Sequence, residues 1–247
     1  MKPYILELKI TLHEATFFAS HEINDLFLTE GVLGNYALAY AFGLVRSPYD
    51  RTQVGYLEDL PELNDRGLYI APAWPVERVR YRVEQFNCQS ESFYGAMIEN
   101  AVVELTGRQY MVNSKDYMTE QGVKKRVRPI NRPQLGVLKM LSPQNVFKCH
   151  LVSRKNITVP RYIRLGKFMS KAGVDCCAIP VNTEKKMDAV SEIVNPLDLP
   201  DESQILFGDT VNIHPTPLIR RAQIKGLWWV NDKGKPVIPA GMMFGGL

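Results

Sequence analysis

The sequence has no long hydrophobic run and few cysteines and histidines. No stretch approaches the roughly eighteen consecutive apolar residues of a membrane-spanning helix. Glu7 and Lys9 interrupt the apolar residues near the N-terminus, so we expect no signal peptide. The four cysteines and four histidines show no metal-ligand spacing. These absences predict a cytoplasmic protein with reduced thiols, no bound metal and no membrane partner.

The common catalytic motifs are also missing. There is no GxxxxGK[ST] or GxGxxG loop, no GxSxG turn, and no HD, DxD or ExxH arrangement of acids. We therefore expect no cofactor and no enzymatic activity. Metal-independent RNA cleavage needs only a few well-placed side chains, which His21, His150, Tyr36 and Lys167 could supply. A ribonuclease thus stays open as an alternative.

What is present is an ordinary globular composition. The 247 residues are 45% hydrophobic and 23% charged, without repeats or low-complexity linkers. This length suits one large domain or two small ones. Because the hydrophobic pattern never breaks, we predict a single α+β domain over residues 1–247.

Positive charge is concentrated in the middle of the chain. Residues 115–171 contain fourteen Lys and Arg against two acids, a net charge of +12, whereas the whole chain carries +4. The net charge is −6 over residues 1–114, −6 over 172–210 and +4 over 211–247. A solvated basic face is the ordinary explanation of a charge run. Over so long a stretch, this concentration favours a surface that binds phosphates.

Period-two patterns predict strands. Tyr4, Leu6, Leu8, Ile10 and Leu12 alternate with polar residues and predict a half-buried strand. A similar alternation predicts strands over 146–153 and 107–113, and apolar runs predict others near 176–181 and on either side of residues 214–217. We leave residues 93–105 open between helix and strand.

Helical spacing and turn signals predict the remaining elements. A helix starting near Thr29 and Glu30 would use one apolar face, formed by Leu33, Tyr36, Ala37, Tyr40 and Leu44. Turn dipeptides indicate a polar connection over 46–67. A short acidic helix is predicted over 183–194, with Met187, Val190 and Val194 facing inward. A strand–helix–strand opening followed by more strands predicts a ferredoxin-like, RNA-recognition-type antiparallel sheet with extra C-terminal strands.

Three basic groups are candidate RNA-binding sites. In the first, Arg78, Arg80 and Arg82 alternate with Val79, Tyr81 and Val83, which predicts an arginine face on one strand. This face either contacts nucleic acid or is the solvated side of an edge strand. The second lies in residues 114–135, a flexible loop or projecting hairpin that carries Lys124, Lys125, Arg126, Arg128 and Arg132. The third is Arg161, Arg164, Lys167 and Lys171. On a helix they would form one stripe above Leu165, Phe168 and Met169, whereas on a strand they would not share a face, and Gly166 indicates a looser conformation.

Four segments together resemble a known family. They are NYALAYAFGL, LYIAPAWPVERVRYRVEQFN, PQLGVLKMLSPQNVFKCHLV and PRYIRLGKFMSKAGV. In order and approximate spacing they resemble the Cas-five-type subunit of the type I-D CRISPR Cascade complex, a member of the RAMP superfamily. The resemblance spans about residues 4–180.

The resemblance implies a role in antiviral defence. Such subunits have a modified RNA-recognition fold with a projecting β-hairpin, the thumb, to which residues 114–135 would correspond. They cap a filament of Cas-seven-type backbone subunits, hold the 5′ handle of the guide RNA (crRNA) and contact the large Cas-ten-type subunit. This end of the ribonucleoprotein also lies near the protospacer-adjacent motif (PAM) of target double-stranded DNA. In type I-D systems a separate endonuclease processes the guide.

Three functions therefore follow from the sequence. The leading one is a non-catalytic guide-RNA-binding subunit, in which basic side chains contact phosphates and Tyr117, Tyr162 and Phe168 stack on bases. The alternatives are a metal-independent endoribonuclease and a scaffold that binds proteins alone through its acidic flanks.

Overall fold

The computed structural model describes residues 2–23, 26–47, 55–87, 101–105, 108–112, 116–118, 124–126 and 135–245. Most of these residues lie in antiparallel β-strands, and few are helical. The strands are β1 (Tyr4–Leu12), β2 (His21–Ile23), β3 (Leu26–Leu28), β4 (Leu68–Ile70), β5 (Trp74–Pro75), β6 (Tyr81–Asn87), β7 (Ala101–Leu105), β8 (Arg108–Val112), β9 (Asp116–Met118), β10 (Lys124–Arg126), β11 (Leu135–Leu141), β12 (Val146–Ser153), β13 (Tyr162–Leu165), β14 (Ser170–Ile179), β15 (Val181–Val194), β16 (Gln204–Val211), β17 (Leu218–Asn231) and β18 (Pro236–Pro239). The helices are α1 (Asn35–Ala41), α2 (Tyr56–Asp65) and a 3-10 turn, Pro196–Asp198.

The first sheet is built around β1. Its strand order is β13-β14-β1-β12-β4, with β5 also paired to β12. Antiparallel pairing sets Ile10 of β1 opposite Phe147 of β12 on one side and Val174 of β14 on the other. Further sheets have the orders β2-β3-β11-β6 and β15-β17-β16, the latter with β18 paired to β17.

The period-two strand predictions are confirmed. Leu8, Ile10 and Leu12 of β1 are fully buried, as are Phe147 and Leu151 of β12. The predicted inward face of β1 was wrong at one end, since Tyr4 is 50% exposed and Ile5 is buried. The predicted strands near 107–113, near 176–181 and after residue 217 correspond to β8, β14 and β17. Strand β16 was not predicted where it lies, since only its last two residues reach the run expected before residue 214. The ambiguous segment 93–105 contains strand β7, and residues 93–100 lie outside the described part.

Helix α1 exists but begins later than predicted. Leu33 pairs with Ala73 in a β-bridge, so the chain is still extended there, and Gly34 is the N-cap. The start near Thr29 and Glu30 was therefore wrong. The predicted face was also incomplete, because Leu38 and Ala39 are buried while Tyr40 is half-buried. The helix packs against β13 and β4 of the first sheet.

Helix α2 lies where the sequence predicted a polar connection, and that prediction was wrong. Tyr56, Leu60 and Leu63 have helical spacing, and the two leucines are fully buried. Glu58 and Asp59 stabilise the first turn through the helix dipole. Pro61 lies inside the helix, although its sequence position was interpreted as a turn.

The acidic segment 183–194 is a strand and not a helix. It belongs to β15, which pairs with β17 from Val181 opposite Asn231 to Val194 opposite Ile219. Ladder hydrogen bonds along this length outweigh the helical spacing of Met187, Val190 and Val194. Val190, predicted to face inward, is 58% exposed.

A buried carboxylate ties the C-terminal segment to the core. Asp198 accepts hydrogen bonds from Asn35 Nδ2 (2.6 Å), the Tyr69 hydroxyl (3.0 Å) and the Gly245 amide (3.0 Å). Asn64 bonds both the amide and the carbonyl of Phe244. Burial raises the pKa of Asp198 to about 7, although these hydrogen bonds oppose the rise.

Contacts divide the chain into two compact units. One consists of Met1–Glu22, Phe27–Val83 and Lys139–Leu247, and the other of Ile23–Leu26 and Glu84–Leu138. In the second unit β7 pairs with β8, and β9 pairs with β10 with Lys125 opposite Tyr117. The sequence left a flexible loop and a projecting hairpin open for residues 114–135, and the described strands there form a two-stranded pair. No helix in the described part of the chain is long and apolar enough to cross a membrane.

Candidate nucleic-acid interface

The third basic group lies on a β-hairpin and not on a helix. Strands β13 and β14 pair with Tyr162 opposite Gly173 and Arg164 opposite Lys171. The connecting turn uses left-handed backbone at Gly166 (φ 71°) and Met169 (φ 53°). Of the two alternatives, the helical stripe is therefore wrong. The pairing nevertheless brings Arg164 and Lys171 to the same face, since residues directly opposite in a ladder point the same way.

The hairpin separates apolar from polar side chains. Ile163 and Leu165 are buried in the core, and Arg161, Tyr162 and Arg164 are exposed. Leu165 is buried as predicted. Phe168 and Met169 were predicted to lie beneath the basic stripe, but they are 55% and 52% exposed. The turn thus presents an aromatic side chain to solvent beside four cations.

Two exposed aromatic rings are held in place by neighbours. The Tyr162 ring has Lys171 Nζ 4.2 Å from its centroid and meets the edge of His13 at a centroid distance of 6.0 Å. The Phe168 ring stacks on Phe17 at 5.3 Å between centroids. Phe17 is buried, so one face of Phe168 is supported from the core. Such fixed, exposed rings suit the stacking of unpaired bases.

The segment His13–Phe17 anchors the turn. The Lys167 amide donates to the Phe17 carbonyl (2.9 Å), and Ser170 Oγ donates to the Ala15 carbonyl (2.7 Å). Gly166 lies so close to this segment that an added Cβ would be 2.4 Å from the Phe17 carbonyl oxygen. Glycine is required here both by its positive φ and by this approach.

The cluster on this hairpin has a net positive charge. Arg161, Arg164, Lys167 and Lys171 bring four positive charges to this hairpin, and Glu14 beside Arg164 brings one negative charge, so the net charge is +3. Arg164 Nη1 lies 3.7 Å from Glu14 Oε2 and donates to the Met169 carbonyl at 3.1 Å. Glu14 Oε2 also accepts the Lys171 amide at 2.7 Å. We name these five residues, with Tyr162 and Phe168, the hairpin cluster.

The predicted strand face of three arginines does not form. Strand β6 starts at Tyr81, so Arg78 and Arg80 precede it. Asn145 fixes the Arg80 backbone by accepting its amide at 3.0 Å and donating to its carbonyl at 2.7 Å. Tyr81 and Val83, on the opposite side of the predicted strand, are 37% and 62% exposed. The prediction failed because side-chain hydrogen bonds of Asn145 end the regular strand.

The second basic group is only partly within the described residues. Lys124, Lys125 and Arg126 form strand β10, and Arg128 and Arg132 lie outside the described part of the chain. The backbone pairing places Lys125 next to Tyr117. A role for these residues in RNA binding stays a prediction.

The side chains considered for RNA cleavage are in different surroundings. Tyr36 is buried, and burial raises its pKa. His150 is half-buried against Trp74, with ring centroids 5.3 Å apart, and burial lowers its pKa to about 4. His21 Nε2 contacts Glu30 Oε1 at 3.1 Å. No group of three His, Cys, Asp or Glu residues in the described ranges could hold a metal ion.

Sequence reasoning missed the residues that support the hairpin cluster. His13, Glu14 and Phe17 were assigned to a strand end and a loop. Their spacing gives no local signal, because they meet residues 162–171 only through the pairing of β1 with β14. The one local hint in the sequence was the pair of adjacent phenylalanines, Phe17 and Phe18, and the structure shows that Phe17 is buried.

Comparison with known proteins identifies the family of the chain. The family model described as Type I-D CRISPR-associated protein Cas5/Csc1 matches residues 3–246, nearly the whole chain. No curated protein matches it closely. The match extends beyond the 4–180 range of the resemblance, so it includes β15–β18. The chain belongs to the type I-D Cas5/Csc1 family, and this membership places it in a type I-D CRISPR system.

Proposed function

We propose that this chain is a non-catalytic subunit of the type I-D effector complex that binds the 5′ handle of the guide RNA. The observation that carries the proposal is the hairpin cluster. Cations for phosphates and exposed rings for bases lie together on one rigid hairpin. Single-stranded RNA is held by this combination of charge and stacking.

The order of strands supports an RNA-recognition-type fold. Strands β14, β1, β12 and β4 are neighbours, and α1 and α2 lie between β1 and β4 in the chain. In this proposal the order corresponds to a ferredoxin-like sheet with one helical crossover. Between β12 and β14 the chain forms β13 where a second helix would stand. The addition of β13 is what creates the hairpin cluster.

The β9–β10 pair fits the thumb of the family. Its Lys124, Lys125 and Arg126 lie on one strand of a short antiparallel pair. In the proposal this pair projects toward the guide bound by the neighbouring Cas-seven-type subunit. The hairpin cluster holds the handle itself. The positive charge of residues 115–171 is therefore divided between two proposed RNA-binding surfaces, the β9–β10 pair and the hairpin cluster.

The remaining partners follow from the family. A subunit at this end of the filament contacts the large Cas-ten-type subunit and lies beside the PAM-proximal part of target double-stranded DNA. The arginines Arg78, Arg80 and Arg82 are exposed, as such contacts require. We place the whole assembly in the cytoplasm.

The test uses the assembled complex. A triple variant, Arg161→Gln, Arg164→Gln and Lys171→Gln, removes three cations of the hairpin cluster. We expect the complex to lose affinity for handle-containing RNA while the subunit stays folded, because all three side chains lie outside the core. The matched control removes the same charge elsewhere, at the exposed residues Lys185, Lys186 and Lys233. Equal affinity of both variants for the RNA would refute the proposal.

Two further measurements separate the alternatives. Purified chain incubated with repeat RNA in chelator should leave the RNA intact; defined cleavage products would establish a ribonuclease instead. Complexes carrying the triple variant should contain less RNA per complex. A fully RNA-loaded complex would favour a scaffold that binds proteins alone.

A further inference from the structure

A cleft separate from the hairpin cluster lies within the first unit. Its volume is about 500 Å³, and the rings of Trp74 and Tyr81 form part of its wall. Three arginines and three glutamates line it: Arg78, Arg220, Arg221, Glu30, Glu77 and Glu192. The charges cancel, so the cleft differs from a phosphate site. Aromatic walls with both donors and acceptors suit a neutral, flat, polar group.

The backbone is distorted at one of these arginines. Consecutive residues of a regular strand point to opposite faces, yet Arg220 and Arg221 both line the cleft. Arg221 has φ 51°, a left-handed conformation that is unfavourable for arginine. The register of β16 with β17 shifts at Phe207, close to this point. Irregularities of this kind redirect side chains and concentrate at functional sites.

Among the described residues, several charged side chains of the cleft form no ion pair, although two of them lie opposite each other on paired strands. Ser191 pairs with Ala222 and Ile193 with Arg220, so Glu192 lies opposite Arg221. Within the described residues, no ion pair engages the side chains of Arg78, Arg221, Glu77 or Glu192. By contrast, Arg220 lies 3.9 Å from Asp209 and Glu30 lies 3.1 Å from His21. Donors and acceptors are therefore available to a ligand.

We propose that this cleft takes a single splayed guanine base of the RNA, an inference that rests on the proposed RNA-binding function. Guanine carries two adjacent acceptors, O6 and N7, that match the paired donors of an arginine such as Arg221. Its adjacent N1–H and N2–H donors match the two oxygens of a carboxylate such as Glu192. Adenine, cytosine and uracil do not offer both pairs. The flat base would stack on Trp74, because Lys139 Nζ already lies over the Tyr81 ring, 4.0 Å from its centroid.

The first experiment titrates the full chain with mononucleotides and follows tryptophan fluorescence. Guanosine 5′-monophosphate should give a saturable change that Trp74→Phe abolishes, because Trp228 is buried and Trp229 half-buried. Inosine monophosphate, which lacks the 2-amino group, and adenosine monophosphate should bind at least about fivefold more weakly. An equal response to all three nucleotides, or no response, would overturn the assignment.

The second experiment changes the cleft without unfolding the chain. Arg221→Gly removes the guanidinium and suits the left-handed backbone, so the melting temperature should stay equal or rise. Guanine preference should fall by about fivefold or more, as with the loss of one bidentate pair. Lys233→Gln, an exposed cation outside the cleft, should change neither property. Unchanged guanine preference in Arg221→Gly would overturn the assignment.

A third measurement separates this inference from the proposed function. Oligouridine RNA, which lacks guanine, tests the hairpin cluster alone. Binding of oligouridine without guanine preference would overturn the cleft assignment and leave handle binding intact. A guanosine response without oligouridine binding would refute handle binding and support the base site. A fluorescence change with arginine amide but with no nucleotide would reassign the cleft to a partner's peptide.

Discussion

The salt dependence of RNA binding gives the sharpest test of the hairpin cluster. Each phosphate contact on single-stranded nucleic acid adds about 0.7 to the slope of log affinity against log salt. If Arg161, Arg164 and Lys171 each contact one phosphate, the triple glutamine variant should lower that slope by about 2. Arg164 lies 3.7 Å from Glu14, which offsets part of its charge. If Arg164 contributes nothing, the decrease is about 1.4.

The assay measures the affinity of the assembled complex for handle-containing RNA at several salt concentrations. Between 50 and 200 mM, wild type should lose roughly 7- to 20-fold more affinity than the triple variant. The Lys185, Lys186 and Lys233 control should keep the wild-type slope. Glu14→Gln, which retains an acceptor for the Lys171 amide, should raise affinity at low salt. A triple variant with the same slope as the control would refute phosphate contacts at the hairpin cluster.

Three other perturbations test the structure from different directions. Phe168→Ala should weaken RNA binding by about 1–3 kcal/mol, the value of one stacked base, and leave the melting temperature nearly unchanged because the ring is 55% exposed; a large loss of thermal stability would show a structural role instead. Gly166→Ala forces a Cβ against the Phe17 carbonyl at positive φ, so denaturant unfolding should show a loss of at least about 1–2 kcal/mol; an unchanged midpoint would contradict that contact. Burial raises the pKa of Asp198 to about 7, so between about pH 4 and pH 7 this carboxyl is protonated in the folded chain and ionised in the unfolded chain. The free energy of unfolding is therefore highest below about pH 4, and Asp198 lowers it by up to roughly 4 kcal/mol as the pH rises to 7 and above. Asp198→Asn should flatten this decline in unfolding measured from pH 4 to 8, and identical pH profiles would rule the effect out.

Local patterns predicted the strands whose burial alternates. In β1 and β12 the period of two reflects one face against the core, and residues such as Leu8 and Phe147 are buried as the pattern requires. Long-range pairing decided the elements that were predicted wrongly. Met187 and Val190 have helical spacing, but their segment is held along its length by β17, far away in sequence. Tertiary hydrogen bonding thus overrides a weak local preference.

The candidate site was predictable in composition but not in geometry. The sequence indicated that Arg161, Arg164, Lys167 and Lys171 act together, and the structure brings them together on a hairpin. Gly166 indicated a looser conformation, but the turn itself was not predicted, because the left-handed conformation of Met169 has no sequence signal. The distortion at Arg221 carries no sequence signal at all. Sites that depend on strained backbone are those where local rules are expected to fail.

The central position of β1 has a consequence for synthesis of the chain. Tyr4 pairs with Ser153, and Ile5 pairs with Ile179, so both edges of β1 find their partners only after most of the chain has been made. At about 5–20 residues per second, the ribosome needs on the order of 10–30 s to supply those partners. During that time an apolar strand with two unpaired edges is exposed, which is a template for aggregation. Expression of the subunit should therefore depend strongly on chaperones that cover the N-terminal strand while translation continues.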